Sequence, residues 1–97
     1  MIPQTIAQKQ VQRTLRAIEE KDRYQVRLVT IAGMQCAFVN KLDQHGAPVT
    51  GYTVRFRRAG VPVCNCPDKQ RPEHRHSSLC CKHAILAMKA LTEGARQ

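Results

Sequence analysis

The interpretation of this sequence depends most on residues 63 to 88, which read VCNCPDKQRPEHRHSSLCCKHAILAM. They contain four of the five cysteines and three of the four histidines in this chain of 97 residues. Closely spaced cysteines in an intracellular protein are more often metal ligands or catalytic groups than disulfides. The odd number of cysteines also argues against a framework built from disulfides alone. We therefore interpret this stretch first as a metal site.

A Cys-x-Cys pair at residues 64–66 and a Cys-x-His pair at residues 81–83 would give a metal three sulfurs and one nitrogen. Zinc in structural sites prefers four such ligands in a tetrahedral arrangement. In a regular helix, however, Cys80 and His83 share a face better than Cys81 and His83 do, because residues three apart are neighbours on the helix surface. The pattern by itself thus leaves Cys80 and Cys81 open as alternative ligands.

The other histidines and the first cysteine are weaker ligand candidates. His74 and His76 lie in the middle of a polar connection, where a ligand would close smaller and more strained rings. His83 belongs to a predicted helix and is therefore better preorganised to bind a metal than His74 or His76. His45 lies in a distant turn, and Cys36 falls within a predicted strand, where it is interpreted as a core residue.

An amphipathic helix is predicted for residues 5–21. Thr5 and Gln8 fit the capping-box pattern, which satisfies the first amides of a helix. Apolar residues then recur at helical spacing and are expected to pack on the domain: Ala7, Val11, Leu15 and Ile18. The opposite, basic side is expected to face solvent and contains Lys9, Gln12, Arg13 and Arg16.

Four strands and a second helix are predicted to follow. The strand segments are YQVRLVTI (24–31), CAFVNKL (36–42), YTVRFRR (52–58) and VPVC (61–64), which are rich in β-branched and aromatic residues. HAILAMKAL (83–91) is predicted to be a helix that ends at Gly94, and the polar residues before it are predicted to form a loop. The expected fold is α+β, with an N-terminal helix, a small antiparallel β-sheet, and a ββα zinc finger ending in a C-terminal helix.

The order Cys-x-Cys, variable loop, Cys-x-His and apolar helix, present here in VCNCPD and CCKHAILAM, resembles the SWIM zinc finger. The resemblance implies a β-hairpin followed by a helix, and it favours Cys81 over Cys80. It implies one Zn²⁺ per chain, and the ligands it assigns are Cys64, Cys66, Cys81 and His83. Pro67 and Lys82 are also usual in that family.

The resemblance covers residues 50–92 and leaves residues 1–49, the N-terminal helix and the first two strands, unaccounted for. We expect residues 1–97 to form a single small domain. SWIM fingers occur in helicases of the chromatin-remodeller type, in transposases, and in recombination and ubiquitin-ligase proteins. Their proposed role is to bind DNA or other proteins. No helicase, transposase or ligase activity is carried over, because the resemblance covers only the finger.

The basic composition suggests a polyanionic partner. The chain has 16 Lys and Arg against 7 Asp and Glu, and residues 51–92 alone contain eight basic and two acidic residues, a net of +6. Five basic residues of the finger are predicted to contact the phosphates of DNA or RNA: Arg55, Arg57, Lys69, Arg71 and Arg75. A solvated basic surface is the alternative, and a protein-interaction adaptor acting through the N-terminal half is the second functional hypothesis.

Catalysis and membrane insertion are not expected from this sequence. Four protein ligands leave a zinc ion no vacant position for catalysis. A disulfide between the adjacent cysteines 80 and 81 would form a strained ring, so Cys80 is interpreted as a buried spare thiol and not as part of a redox pair. No apolar run approaches the length needed to cross a bilayer. We therefore predict a cytoplasmic protein that is not an enzyme and has no small-molecule substrate. The chain has only four aromatic residues, so it offers little surface on which the bases of single-stranded nucleic acid could stack.

Overall fold

The computed structural model describes residues 4–94 and has an α+β fold, as predicted. The helices are α1 (Ile6–Glu20), α2 (Pro67–Gln70), α3 (Pro72–Arg75) and α4 (Lys82–Gly94), and the strands are β1 (Tyr24–Ile31), β2 (Met34–Leu42), β3 (Pro48–Arg55) and β4 (Val63–Cys64). A 3₁₀ turn at Lys21–Arg23 joins α1 to the sheet. The strands form one antiparallel sheet in the order β1-β2-β3-β4. Each strand therefore pairs with its neighbour in sequence.

The turns explain why the first three strands form a meander. Ala32 and Gly33 both have positive φ (51° and 77°), which is the requirement of a two-residue type I′ hairpin. In the longer turn between β2 and β3, the Asp43 carboxylate accepts hydrogen bonds from the amides of His45 and Ala47. Gly46 provides the positive φ of this turn, at 81°. These local contacts set the register that brings the end of β3 next to the start of β2.

The core lies between the sheet and α4, which contacts all four strands. Val39 and Val54 contribute from the sheet, and Ala84, Leu86 and Ala87 contribute from the helix. The alternation predicted for β3 is present at its end, where Val54 is buried and Arg55 is exposed, but not before it, where Tyr52 and Thr53 are both half-buried. The three candidate ligand cysteines, Cys64, Cys66 and Cys81, belong to the same buried cluster. The core of this small protein is therefore continuous with the cysteine cluster.

Helix α1 begins as the sequence predicts. The Thr5 hydroxyl accepts a hydrogen bond from the Gln8 amide at 3.1 Å, and the Gln8 side chain accepts one from the Thr5 amide at 2.8 Å. This capping box satisfies two amides that would otherwise lack partners.

The prediction of which side of α1 faces the domain is wrong. Val11, Leu15 and Ile18 are 59%, 51% and 61% exposed, and Ala7 is exposed as well. The side that faces the protein is largely polar, and Ala17 is its only fully buried residue. Polar groups that face α1 across the interface account for this orientation. We call the exposed set Ala7, Val11, Leu15 and Ile18 the apolar stripe of α1.

Polar contacts from the inner side of α1 reach the segment between the two ligand pairs. Lys9 Nζ donates to His74 Nε2 at 2.9 Å, and the Gln10 side-chain amide makes two hydrogen bonds, at 2.7 and 2.9 Å, with the backbone of Cys80. The Arg13 guanidinium donates to both carboxylate oxygens of Asp68, at 2.9 and 3.1 Å. These paired groups fix the rotation of α1 and leave its apolar stripe in solvent.

The connection at residues 67–80 is more ordered than the predicted loop, because it contains the short helices α2 and α3. The Lys69 ammonium is buried and donates to the carbonyls of Ser77 and Leu79 at 2.9 and 2.8 Å. The buried ring of His74 contacts the carbonyl oxygen of Asp68 through Nδ1 at 2.8 Å. The sequence signal for these helices was proline, which stands at the first position of each: Pro67 and Pro72.

Candidate metal centre

Four side chains converge where the sheet meets α4. Cys64 ends β4, Cys66 immediately precedes α2, Cys81 immediately precedes α4, and His83 lies in its first turn. The pairing of Cys64 with Val54 of β3 and a hydrogen bond from the Gln70 side chain to the Cys64 carbonyl hold the first pair in place. Because Cys81 stands outside the regular helix, the two residues of the second pair can point to one centre.

The geometry of this cluster fits one metal ion. The ligand atoms of Cys64, Cys66, Cys81 and His83 all lie within 4.8 Å of one another, and all four residues are buried. His83 Nδ1 is 3.9 Å from both Cys64 Sγ and Cys81 Sγ. Bond lengths of about 2.3 Å to sulfur and 2.0–2.1 Å to nitrogen in a tetrahedral site imply a nitrogen–sulfur separation of roughly 3.6 Å. The cluster can therefore hold a metal after only small adjustments.

Two tyrosines orient the His83 ring. Tyr52 stacks on it with ring centroids 4.1 Å apart and an interplanar angle of 26°, and Tyr24 meets it edge-on at 5.4 Å. Nδ1 faces the sulfurs, whereas Nε2 is buried and has no hydrogen-bond partner among the described residues. Aromatic packing thus takes the place of the second hydrogen bond that usually orients a metal-binding histidine. This arrangement makes Nδ1 the nitrogen available to a metal.

The three cysteine thiols influence one another strongly. Hydrogen bonds with Cys66 and then Cys81, together with burial, raise the pKa of Cys64. Hydrogen bonds from Cys64 and then Cys81 lower the pKa of Cys66, so the cluster favours one thiolate there. The hydrogen bond with Cys64 lowers the pKa of Cys81, but the hydrogen bond with Cys66 and burial outweigh it and raise that pKa to about 12. A cation placed among these sulfurs would favour their deprotonated forms.

The alternative ligands lie outside this cluster. Cys80 is buried, its backbone is bonded to Gln10, and burial raises the pKa of its thiol. His74 is bonded to Lys9 and Asp68, while His76 and His45 are exposed. Cys36 is buried in β2, as predicted. All five cysteines are free thiols.

The layer around the metal site includes residues that the sequence reasoning did not assign to it. Asp68, two residues after Cys66, has a lowered pKa because Arg13 donates to it. Lys82 Nζ lies 3.3 Å from the Glu20 carboxylate and 5.6 Å from the centre of the Tyr24 ring. The predicted apolar face of the third strand, which Tyr52 shares with Val54, was the available signal for one of the two tyrosines. No local pattern indicated that α1 would reach this layer.

The basic residues predicted to contact phosphate are not equally available. Arg55, Arg57, Arg71 and Arg75 are exposed. Lys69 is only 3% exposed, and its ammonium is occupied by the two carbonyls described above. A polyanion therefore has access to the four arginines but not to Lys69 in this fold.

The fold and the cluster together define a small α+β protein with a Cys₃His cluster that could hold one metal ion. Comparison with family models, with curated proteins and with solved structures found no match for the chain. The likeness to the SWIM finger rests on the cysteine and histidine pattern and on its placement between a β-hairpin and a helix. Within residues 4–94, no helix has the length and apolar character needed to span a bilayer.

Proposed function

We propose that the protein is a SWIM-type zinc-finger module whose zinc ion is structural and whose basic surface binds nucleic acid. The observation that carries the zinc assignment is the buried Cys₃His cluster, since thiolate and imidazole in tetrahedral array are the ligands that zinc prefers. All four tetrahedral positions are taken by the protein, which suits a structural role. The metal would join β4 to α4 and close the connection between them.

Binding to nucleic acid is supported by the exposed arginines of the finger: Arg55, Arg57, Arg71 and Arg75. The formal net charge of +9 favours approach to a polyanion, and arginine binds phosphate with two parallel hydrogen bonds. Affinity gained in this way depends little on base sequence, because phosphates are the same at every position.

The test is the salt dependence of duplex DNA binding by the zinc-loaded protein. Each phosphate contact contributes a slope of about 0.9 in a plot of log affinity against log salt, so four contacts give roughly 3.6. Replacing Arg55 and Arg57 by Gln should lower this slope by roughly 2. Lys41→Gln removes one exposed cation of β2 outside the finger and should leave the slope nearly unchanged. Absence of binding at low salt, with zinc content and fold intact, contradicts the nucleic-acid proposal.

A second candidate function is a protein adaptor, and the apolar stripe of α1 favours it. Three large apolar side chains that are half exposed along one helix are typical of a protein interaction surface. The stripe continues into an apolar groove between α1 and α4, which is lined by Ala17, Ile18, Ile85 and Leu86 and bordered by Lys21 and Lys89. Under this hypothesis Leu15→Glu abolishes co-purification with a specific partner, while DNA binding is unchanged.

A further inference from the structure

The end of the sheet carries a groove that combines arginine with apolar surface. It forms where β2 begins, β3 ends and β4 begins, because Arg55 pairs with Cys36 on one side and with Val63 on the other. The groove has a volume of about 500 Å³. Its lining residues are Met34, Arg55, Phe56, Arg57, Arg58 and Val63, and we call it the arginine groove.

The charges of the arginine groove are available to a ligand. Arg55, Arg57 and Arg58 are exposed, and within residues 4–94 none of them forms a salt bridge with a carboxylate. Arg13, by contrast, is held by Asp68 in the layer around the metal site. Three unpaired guanidinium groups on four consecutive residues create a local field that attracts an anion with more than one charge.

The apolar part of the groove distinguishes it from a surface that binds only phosphate. Met34 is 45% exposed, and its cross-strand partner Ile31 is 49% exposed. Phe56 and Val63 are partly buried and also line the groove, and Phe56 packs in addition against the core cluster. The outside of a duplex presents phosphates and sugars, which do not match an apolar surface. An unpaired nucleotide presents a flat, weakly polar base face next to its phosphates, which matches both parts of the groove.

We propose that the arginine groove binds unpaired nucleotides, with base faces against Met34, Phe56 and Val63 and phosphates on the three arginines. This inference rests on the proposed nucleic-acid function and narrows its target to single-stranded DNA or RNA. The inference also revises the expectation of weak base stacking that was based on composition. One aromatic ring placed beside three arginines is enough to stack with a base even when the chain has few aromatic residues. Phosphate contacts elsewhere on the finger add affinity without selecting the strand type.

The experiment compares the zinc-loaded protein binding to an oligothymidylate of about ten nucleotides with its binding to a duplex of equal phosphate number. The single strand should bind more tightly. Phe56→Leu keeps an apolar side chain but removes the ring, and it should weaken single-strand binding by roughly fivefold or more while leaving duplex binding nearly unchanged. Arg58→Gln should lower the single-strand salt slope by about 0.7.

Met34→Gln serves as a second variant, because Met34 is exposed and its replacement does not disturb the core. It should weaken single-strand binding by roughly twofold to fivefold through lost apolar contact. Val49→Gln is the matched control, since Val49 is 58% exposed near the far end of β3 and does not line the groove. Zinc content verifies the fold of each variant.

The outcomes separate this inference from the function on which it rests. Duplex binding that depends on Arg55 and Arg57, with no preference for the single strand, overturns the inference and leaves the proposed function standing. Equal losses in Met34→Gln and Val49→Gln also overturn it. If neither nucleic acid binds at low salt, the proposed function fails and the inference fails with it.

Discussion

At the scale of single residues, the separate roles of Cys80 and Cys81 follow from which atoms of each are engaged. Cys81 contributes its sulfur to the metal cluster, whereas Cys80 contributes its backbone N–H and C=O to Gln10. The thiol of Cys80 is buried and does not belong to the ligand cluster. These two adjacent cysteines therefore have different roles, because their side chains point in different directions.

Replacing Cys81 by Ser should remove bound zinc, since it deletes one of the four ligands. Cys80→Ser should retain one zinc per chain, because the backbone contacts with Gln10 do not involve the thiol. Metal content after purification and dialysis is the measurement. Retention by the Cys81 variant together with loss by the Cys80 variant would reverse the assignment.

Lys69 is a buried cation that stabilises the connection between the ligand pairs. Lys69→Met leaves the carbonyls of Ser77 and Leu79 without a donor and should lower the free energy of unfolding by about 1–3 kcal/mol. Chemical denaturation of the zinc-loaded protein measures this change. Lys41→Met, at an exposed position of β2, should change it by less than about 0.5 kcal/mol. Equal effects of the two substitutions would contradict the structural role of Lys69.

At the scale of secondary-structure elements, α1 shows that an amphipathic pattern identifies a helix without identifying its inner side. Hydrophobicity alone favoured burial of Val11, Leu15 and Ile18. The inner side instead carries Lys9, Gln10 and Arg13, each of which has a matched partner in the segment that joins the ligand pairs. Ala17 permits close approach to α4 because its side chain is small.

Substitutions on the two sides of α1 test this orientation. Leu15→Gln should change the free energy of unfolding by less than about 0.5 kcal/mol, because Leu15 makes little buried contact. Ala17→Gln should lower it by about 1–3 kcal/mol, because a larger side chain does not fit at a position that is 2% exposed. Denaturation curves of both variants at equal zinc occupancy provide the comparison. A larger loss for Leu15→Gln would mean that the apolar stripe is the inner side.

At the scale of the whole molecule, the metal site lies where the sheet, α4 and the connection that anchors α1 meet. Cys64 belongs to β4, and Cys81 and His83 flank the start of α4. The polar partners of α1 lie between the two ligand pairs, at Asp68, His74 and Cys80. Metal binding should therefore couple the finger to the N-terminal helix through shared structure.

Removal of zinc by a strong chelator should unfold the finger and release α1, because the partners of α1 lose their fixed positions. Amide hydrogen exchange should show loss of protection in both α1 and α4, and circular dichroism should show loss of helix. Added zinc should restore both signals. An apo protein as protected and as cooperative as the zinc-loaded form would show that the metal does not support the fold.

The α+β class, the capping box at Thr5, α1, α4 and the order of the strands could be predicted from the sequence, although β3 lies at Pro48–Arg55 and not at residues 52–58. These features depend on residue spacing and local backbone preference, which are encoded within a few neighbouring residues. The ligand pattern was also visible, although spacing alone left Cys80 and Cys81 undecided. The resemblance to the SWIM finger favoured Cys81, and the folded chain supports that choice, because it brings Cys81 Sγ and His83 Nδ1 to one point with Cys64 and Cys66.

The tertiary structure also decided which side of α1 is buried, that Lys69 is inaccessible, and that Phe56 lies beside three arginines. Each of these depends on partners far away in the sequence. Arg13 finds Asp68 55 residues later, and Lys9 finds His74 65 residues later. Hydrophobic periodicity gives the most probable burial for an isolated helix, but specific hydrogen bonds across an interface can outweigh it. Such pairings exist only once the chain has folded.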